Sequence, residues 1–392
     1  MSALLTVDDA QAAILARCSP LGTETVPIEG AAGRVIAEDA LAAVDLPPFP
    51  SSAMDGFALR SADVPGTLVV AARIAAGSPA DRALAGGEAM AISTGGVVPE
   101  GADAVAPIEV VTDNGDTVDV PDTIAAGAHV RPRGGDVRAG DLVVPAGVRL
   151  GATQLGALAA AGIAAAVCAR RPRVAVLATG SELVRPGTPL APGQVYEANA
   201  LMLASALGGV GADVERLPAV ADDEDAHREA IARGLEADVL VTSGGVSVGP
   251  HDLVRAIESE LGVEEVFWQV AVKPGKPIAF GTRGRTLVFG LPGNPVSSLV
   301  GCELFVKPAL RALQGLAEPL PRFERGRLLS SLQRNTARDE FIRARVVDGV
   351  LEPLTGQESH MIARAAAANA LVHVPRGEGT LDAGTDVRWI SL

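Results

Sequence analysis

Val239-Leu-Val-Thr-Ser-Gly-Gly-Val-Ser-Val-Gly249 decides the fold. It opens as an unbroken apolar run, which suits a strand covered on both faces, and ends in a glycine-rich loop. The same grammar recurs upstream in Val174-Ala-Val-Leu-Ala-Thr-Gly-Ser-Glu-Leu183, and downstream in Val288-Phe-Gly-Leu-Pro-Gly-Asn-Pro-Val-Ser-Ser298, which leads straight into a helix. Between and after these runs the apolar spacing predicts helices over 198–207, 223–234, 252–261 and 295–312, with strands at 213–217, 266–272 and 286–290. Alternating strand and helix argues for a three-layer α/β domain, taken as residues 171–318.

Outward from that centre the text changes twice. Residues from about 51 to 148 carry short β-branched runs, such as Thr67-Leu-Val-Val and Thr117-Val-Asp-Val, between Gly, Pro and Asp clusters, the pattern of a β-rich module. Residues 319–392 follow Pro319 and Pro321 with short strands (Glu340 to Val347, Ala370 to Val374, Asp386 to Ile390) between glycine turns, and read as a small C-terminal β module. Helices are expected over 4–18, where Thr6 precedes Asp8 and Asp9, and over 151–168. No charged residue falls between Arg149 and Arg170, yet most of that stretch is Ala and Gly, so a packed helix is expected rather than a membrane span.

Composition narrows the function. The chain has 392 residues, enough for two to three domains at roughly 150 residues each. Hydrophobic residues make up 48%, ample for cores, and the net charge is −14. An acidic chain with 3% aromatics is a poor binder of nucleic acid or anionic membrane. Cys18, Cys168 and Cys302 are far apart and read as buried hydrophobes. The first residues carry no basic segment, so a cytoplasmic location is expected.

In open α/β sheets ligands bind beyond the carboxyl ends of the strands. All three glycine loops fall on that edge, and backbone N–H groups there, with a helix N-terminus, favour an anion. Lys273-Pro-Gly-Lys276-Pro adds two cations held by prolines. Asp55, Asp136, Asp222, Asp223 and Asp252 admit two roles: ligands of a Mg²⁺ shared with phosphate oxygens, or Asx-turns at Asp55 and Asp136 and helix caps at the others. Gly245-Val-Ser247-Val-Gly249 imitates a hydrolase nucleophile motif, but Pro250 delays the helix that such a motif needs. The five histidines show no metal-ligand spacing.

Taken together, Ser52-Ala-Met-Asp-Gly-Phe-Ala58, Ser93-Thr-Gly95 with Pro99-Glu-Gly101, Arg133-Gly-Gly-Asp136, Ala178-Thr-Gly-Ser-Glu-Leu183, Ser243 to Gly249 with Asp252, Lys273 to Pro277 and Leu291-Pro-Gly-Asn-Pro-Val-Ser297 resemble, in that order, the molybdopterin molybdenumtransferases, the MoeA type related to gephyrin E domains. The resemblance spans the chain. It implies an elongated domain (1–47 and 129–170), a β-rich domain (48–128), the α/β molybdopterin-binding domain and a C-terminal β-barrel-like domain. It implies insertion of molybdate into adenylylated molybdopterin (molybdopterin-AMP), with AMP released, Mg²⁺ as cofactor, and a homodimer whose cleft is shared between subunits. Candidate partners are molybdopterin adenylyltransferase and downstream molybdoenzyme-maturation proteins. Alternatives are a gephyrin-like scaffold and a nucleotide-acting relative of the same α/β domain.

Carried over by motif, the catalytic residues are Asp55, Thr94, Asp136, Glu182, Asp252, Lys273 and Lys276, with Asp55, Thr94 and Asp136 arriving from the partner subunit. Gly180, Ser243, Gly244, Gly245, Ser247, Pro292, Gly293, Asn294 and Pro295 would bind substrate, with Arg343 and Ser359 as oxyanion contacts from the last domain. Glu182, Asp222, Asp223 and Asp252 would hold the metal. Gln269 stands where many relatives are basic, Glu197 where Asp is commoner, and His251 where a small residue is commoner.

Overall fold

A computed structural model describes residues 4–75, 77–221, 223–245 and 253–392. Its centre is a six-stranded sheet. Asp213–Arg216, Arg173–Ala178, Val239–Ser243 and Thr286–Leu291 lie parallel in that order, and Ala279–Arg283 and Glu264–Trp268 close it antiparallel. The β-branched runs form its buried middle, and Val239, Leu240 and Val241 are fully buried. One face packs under Asn199–Gly208 and the helical run that starts at Pro295–Gly301 and ends at Lys307–Leu313. The other packs under Glu224–Gly234 and Leu253–Glu260, completing three layers.

Two departures lie within this domain. The strand expected at 266–272 stops at Trp268, because Gln269 has φ +80° and turns the chain away. The left-handed region costs an ordinary residue roughly 1–2 kcal/mol. The long C-terminal helix contains a π-turn, Cys302–Val306. There the Leu304 carbonyl accepts from Gln11 Nε2 at 2.9 Å. Gln11 lies on Val7–Leu15, whose Thr6 cap accepts the Asp9 N–H. This opening helix, expected with the elongated domain, buries Val7, Ala10 and Ile14 in the α/β core.

The stretch expected as one helix over 151–168 is a helix, Ala152–Ala160, followed by the strand Ala165–Ala169, which pairs antiparallel with Thr23–Pro27. Gly162, at φ +81°, makes the turn between them. No helix among the described residues is long and apolar enough to cross a membrane. Short ladders, Ala40–Leu41 with Leu142–Val144 and Ser51–Ser52 with Val130–Arg131, bring the chain out to and back from a second six-stranded sheet. That sheet runs from Gly56–Leu59 to Thr117–Val120 in sequence and packs around Phe57, Leu59, Leu68 and Val118.

The last segment closes into a barrel. Asp339–Val347 pairs with both Val350–Pro353 and Ala370–Val374, and Glu324–Leu328 and Asp386–Ser391 complete the ring. His373 sits against the opening helix, stacked on Phe341 with ring centroids 5.1 Å apart. Arg388 Nη2 donates to His373 Nδ1 at 3.1 Å, so the ring proton sits on Nε2, which faces Asp339 Oδ1 at 3.5 Å. Burial holds His373 below the ordinary histidine range, against the pull of Asp339 and Asp8, while Arg388 adds to the lowering.

Two outcomes follow from this packing. Phe289, fully buried and 4.9 Å from the Phe280 ring, should cost about 3–5 kcal/mol when truncated to alanine, read as loss of the α/β domain's urea transition to lower denaturant. The unfolded chain protonates its histidine below about pH 6.5, while the folded ring resists, so the unfolded state binds more protons. Stability from this site is held above that range and falls as the pH drops through it. His373→Gln should lessen the acid-side loss, measured as the difference between variant and wild-type melting curves from pH 7.5 down to about pH 5.

Candidate functional site

The ends of the three parallel strands are level: Ala178 pairs with Ser243, and Ser243 with Leu291. The ladder runs one residue further, with Thr179 N–H donating to the Ser243 carbonyl and Gly244 N–H to the Leu291 carbonyl, both at 3.0 Å. The glycine loops therefore leave the sheet side by side and wall a cleft of about 730 Å³. Thr179, Gly180, Glu182, Ser243, Gly244, Gly245, Pro292, Gly293, Asn294 and Pro295 all line it. Gly244, at φ +102°, has to be glycine: a Cβ there would sit 2.6 Å from the Thr179 carbonyl oxygen. At Gly180 a Cβ would meet Glu182 Oε2 at 2.5 Å, so the Glu182 carboxylate folds back over that loop.

A chain of polar bonds holds the loops together. Asn199 Nδ2 donates to Ser243 Oγ at 2.9 Å and to the Gly293 carbonyl at 2.7 Å. Ser298 Oγ donates to the Pro292 carbonyl, and Ser243 Oγ lies 3.3 Å from Ser298 Oγ and 3.4 Å from that same carbonyl. Glu197 Oε1 accepts the Ala200 N–H at 2.7 Å and so caps the helix that carries Asn199.

The barrel supplies the facing wall. Arg343 is 1% exposed, and its guanidinium donates to the carbonyls of Met361 (2.7 Å), Gly356 (2.7 Å) and Glu358 (3.1 Å). Burial holds its pKa below the usual guanidinium value. Expected as an oxyanion contact, Arg343 is instead a strut, with its donors spent on the loop that brings His360 and Ile362 to the cleft. Ser359, also expected at the anion, docks that loop: its hydroxyl accepts from Asn294 Nδ2 at 2.9 Å and its carbonyl from Val296 N–H at 3.0 Å. The Val296 donor at the helix start is thereby used within the protein.

Lys273 is half exposed and pairs through Nζ with Glu340 Oε1 at 2.6 Å, where Val272–Lys273 adds parallel to the barrel strand. Lys276 is partly buried beside Pro277, which lines the cleft. Asp55 lies elsewhere: its Oδ1 accepts the Thr94 N–H (2.6 Å) and hydroxyl (3.0 Å), which hold the carboxyl below its usual range. Asp136 is exposed, and its N–H donates to Leu46. Asp55, Thr94 and Asp136 do not line the α/β cleft of their own chain. Asp223 is the N-cap of its helix, accepting from Ala226 N–H at 2.8 Å, so its carboxylate is engaged as a cap rather than set in the cleft. Ser247, Asp222, His251 and Asp252 lie outside the described residues. Among the described residues no three His, Cys, Asp or Glu cluster as a metal site.

Sequence reasoning missed Asn199, Tyr196, His360 and Ile362. For Asn199 the available signal is an amide at the start of an apolar helix, just after a strand loop. For His360 there is none, because only the fold carries the barrel loop to the α/β edge.

These features define a class: a multidomain protein with an α/β domain whose anion-adapted loops are roofed by a C-terminal barrel. Residues 5–162 match the MoeA N-terminal region (domain I and II), 175–312 the probable molybdopterin binding domain, and 325–392 the MoeA C-terminal region (domain IV). The chain is 37% identical to molybdopterin molybdenumtransferase 2 of Mycobacterium tuberculosis, over 96% of each chain. It is 36% identical to the molybdopterin molybdenumtransferase of Haemophilus influenzae, over 98% of each. A solved MoeA protein from Pyrococcus horikoshii superposes with TM-score 0.82 at 32% identity, covering 99% of both chains. The chain belongs to the molybdopterin molybdenumtransferase family, transferases of molybdenum cofactor biosynthesis.

Arg343→Met should keep the barrel folded but leave three loop carbonyls without their donor, at roughly 1–3 kcal/mol for each group left buried. Faster amide exchange confined to 354–362 is the expected signature, and unchanged protection there would rule out the strut.

Proposed function

We propose that this chain inserts molybdate into adenylylated molybdopterin, cleaving the phosphoanhydride, releasing AMP and leaving molybdenum on the pterin's dithiolene. The observation that carries the reading is the convergence of three glycine loops on one cleft. Its volume of about 730 Å³ lies within the ~300–1,000 Å³ usual for small-molecule sites. Backbone N–H groups of Gly245 and Gly293 would hold the phosphates, with Gly244 giving the close approach its missing side chain allows, and Lys273 and Lys276 would draw in molybdate. The proposed site of action is the cytoplasm, and its three cysteines are free thiols.

Mg²⁺ takes one or two carboxylates together with phosphate oxygens and water. Glu182, folded over Gly180 at the cleft, fits as one such ligand. The ion, when bound, would neutralise charge developing on the phosphates as the anhydride opens. Lys273, already fixed by Glu340, needs no reordering to meet an anion.

The reading includes a homodimer with a composite site. Asp55 and Thr94, locked to each other but absent from their own chain's cleft lining, suit delivery to the neighbour's. The helix Ala152–Ala160 supports an interface, since it is uncharged and mostly exposed. Leu41 and Leu142, each 52% exposed, face one another in the ladder nearby. Molybdopterin adenylyltransferase would supply the substrate and molybdoenzyme-maturation proteins would accept the product. Membership of a family of transferases favours this reading over a gephyrin-like scaffold.

Release of AMP from adenylylated molybdopterin, dependent on molybdate, tests the reaction; no release would refute it. Asp55→Ala and Glu182→Ala should each abolish release while leaving the fold intact. Mixed and re-equilibrated, the two inactive variants should regain activity, because some dimers then contain one whole cleft. Failure of mixing, with heterodimers shown to form, would rule out the shared site.

A further inference from the structure

We propose that Tyr196 is the stacking platform of the cleft, taking the fused heteroaromatic ring, purine or pterin, of the ligand whose phosphates the glycine loops hold. This rests on the function proposed above and adds where the ring goes.

Tyr196 is the chain's one tyrosine. It is 45% exposed at the cleft, whereas Phe57, Phe280, Phe289, Phe305 and Phe341 are fully buried. An exposed aromatic in a chain this poor in them needs a reason, and no core cluster includes it. The ring is held in place before any ligand arrives. Its hydroxyl donates to the Thr188 carbonyl at 2.9 Å. On either side, Val195 N–H donates to the Glu182 carbonyl and Glu197 N–H to the Val184 carbonyl, both at 2.9 Å.

The setting is a strand-to-helix connection running from 179 to 198, where about 2–6 residues usually suffice. Its sole regular element is the parallel pair Leu183–Val184 with Val195–Tyr196, whose second strand is exposed. The excursion gives the core only the partly buried Leu183; it raises Val195 and Tyr196 beside Glu182 on the cleft wall. The opposite loops, made of Gly244, Gly245 and Gly293, offer dipoles and no π-face. A ligand that joins phosphates to a flat ring needs both surfaces, and a fixed aromatic supplies the second with little entropy to lose.

A single tyrosine permits a direct test. Labelled with 3-fluorotyrosine, the wild-type chain gives one ¹⁹F resonance from this residue. AMP, 6-hydroxymethylpterin and ribose 5-phosphate are titrated separately. AMP, the pterin or both should shift the resonance, identifying the ring that occupies the platform, while ribose 5-phosphate should bind without shifting it. By calorimetry, Tyr196→Ala should weaken the shifting ligand about tenfold or more and leave ribose 5-phosphate unchanged, and Tyr196→Phe should stay within about threefold of wild type. Binding of AMP and pterin with the resonance unmoved, or equal affinity in Tyr196→Ala, would overturn the platform and leave the proposed function standing. Absence of binding by all three probes would overturn both.

Discussion

One side-chain amide holds the cleft in shape. Asn199 ties Ser243, at the end of the central strand, to Gly293 in the next loop, and through Ser298 the same chain of bonds reaches Pro292. Glycine loops cannot keep their own conformation, since glycine loses more freedom on ordering than any other residue. Ser243 and Ser298 are buried, so each bond withheld would leave a polar group unpaired at roughly 1–3 kcal/mol. The apolar strands set the level at which the loops begin, and the polar chain then fixes where they go.

The barrel is part of that arrangement through one strand, Asp339–Val347. Phe341 packs in the α/β core while Ala344 packs in the barrel core, the two faces of one strand serving two domains. Glu340 pairs with Lys273 on the α/β side, and Arg343 gathers the loop that docks on Asn294 and Val296. A buried guanidinium bonded to three carbonyls is held by neutral partners, so the loop must stay folded around it or leave a charge without solvation. The roof of the cleft and the seating of Lys273 therefore depend on the same strand.

Much of the α/β domain was legible because its strands are unbroken β-branched runs, and runs of that kind state both type and burial. Helices 199–208 and 224–234 were legible through their periodicity. The stretch 151–168 was not: with Ala and Gly at most positions it has no contrast between faces, and the turn at Gly162 looks like any other glycine of the run. The strand Ala279–Arg283 was missed because Gly281 and Thr282 break its apolar text. At the site, glycine loops announce themselves by composition. Arg343 could not be read correctly, since a sequence shows the charge of a guanidinium but not the carbonyls that enclose it. Asp223 shows the opposite case, in which the local capping role was open to view and is the one realised.

The acidity of the chain sets the last constraint. A net charge of −14 repels an anionic ligand at long range, and screening confines surface fields to about 8 Å at physiological ionic strength. Attraction must then be built within the cleft. Among the described groups Glu182 and Glu197 add negative charge to its lining, Glu197 is engaged as a cap, and Glu340 offsets part of the charge of the half-exposed Lys273. What remains is short-ranged: backbone N–H groups of the glycine loops, the two lysines of the Lys273–Lys276 turn, and, under the proposed function, a divalent ion for which Glu182 would serve as a ligand. Recognition in this fold therefore rests on directed dipoles and on shape, and shape depends on Asn199 and Arg343, neither of which needs to touch the ligand.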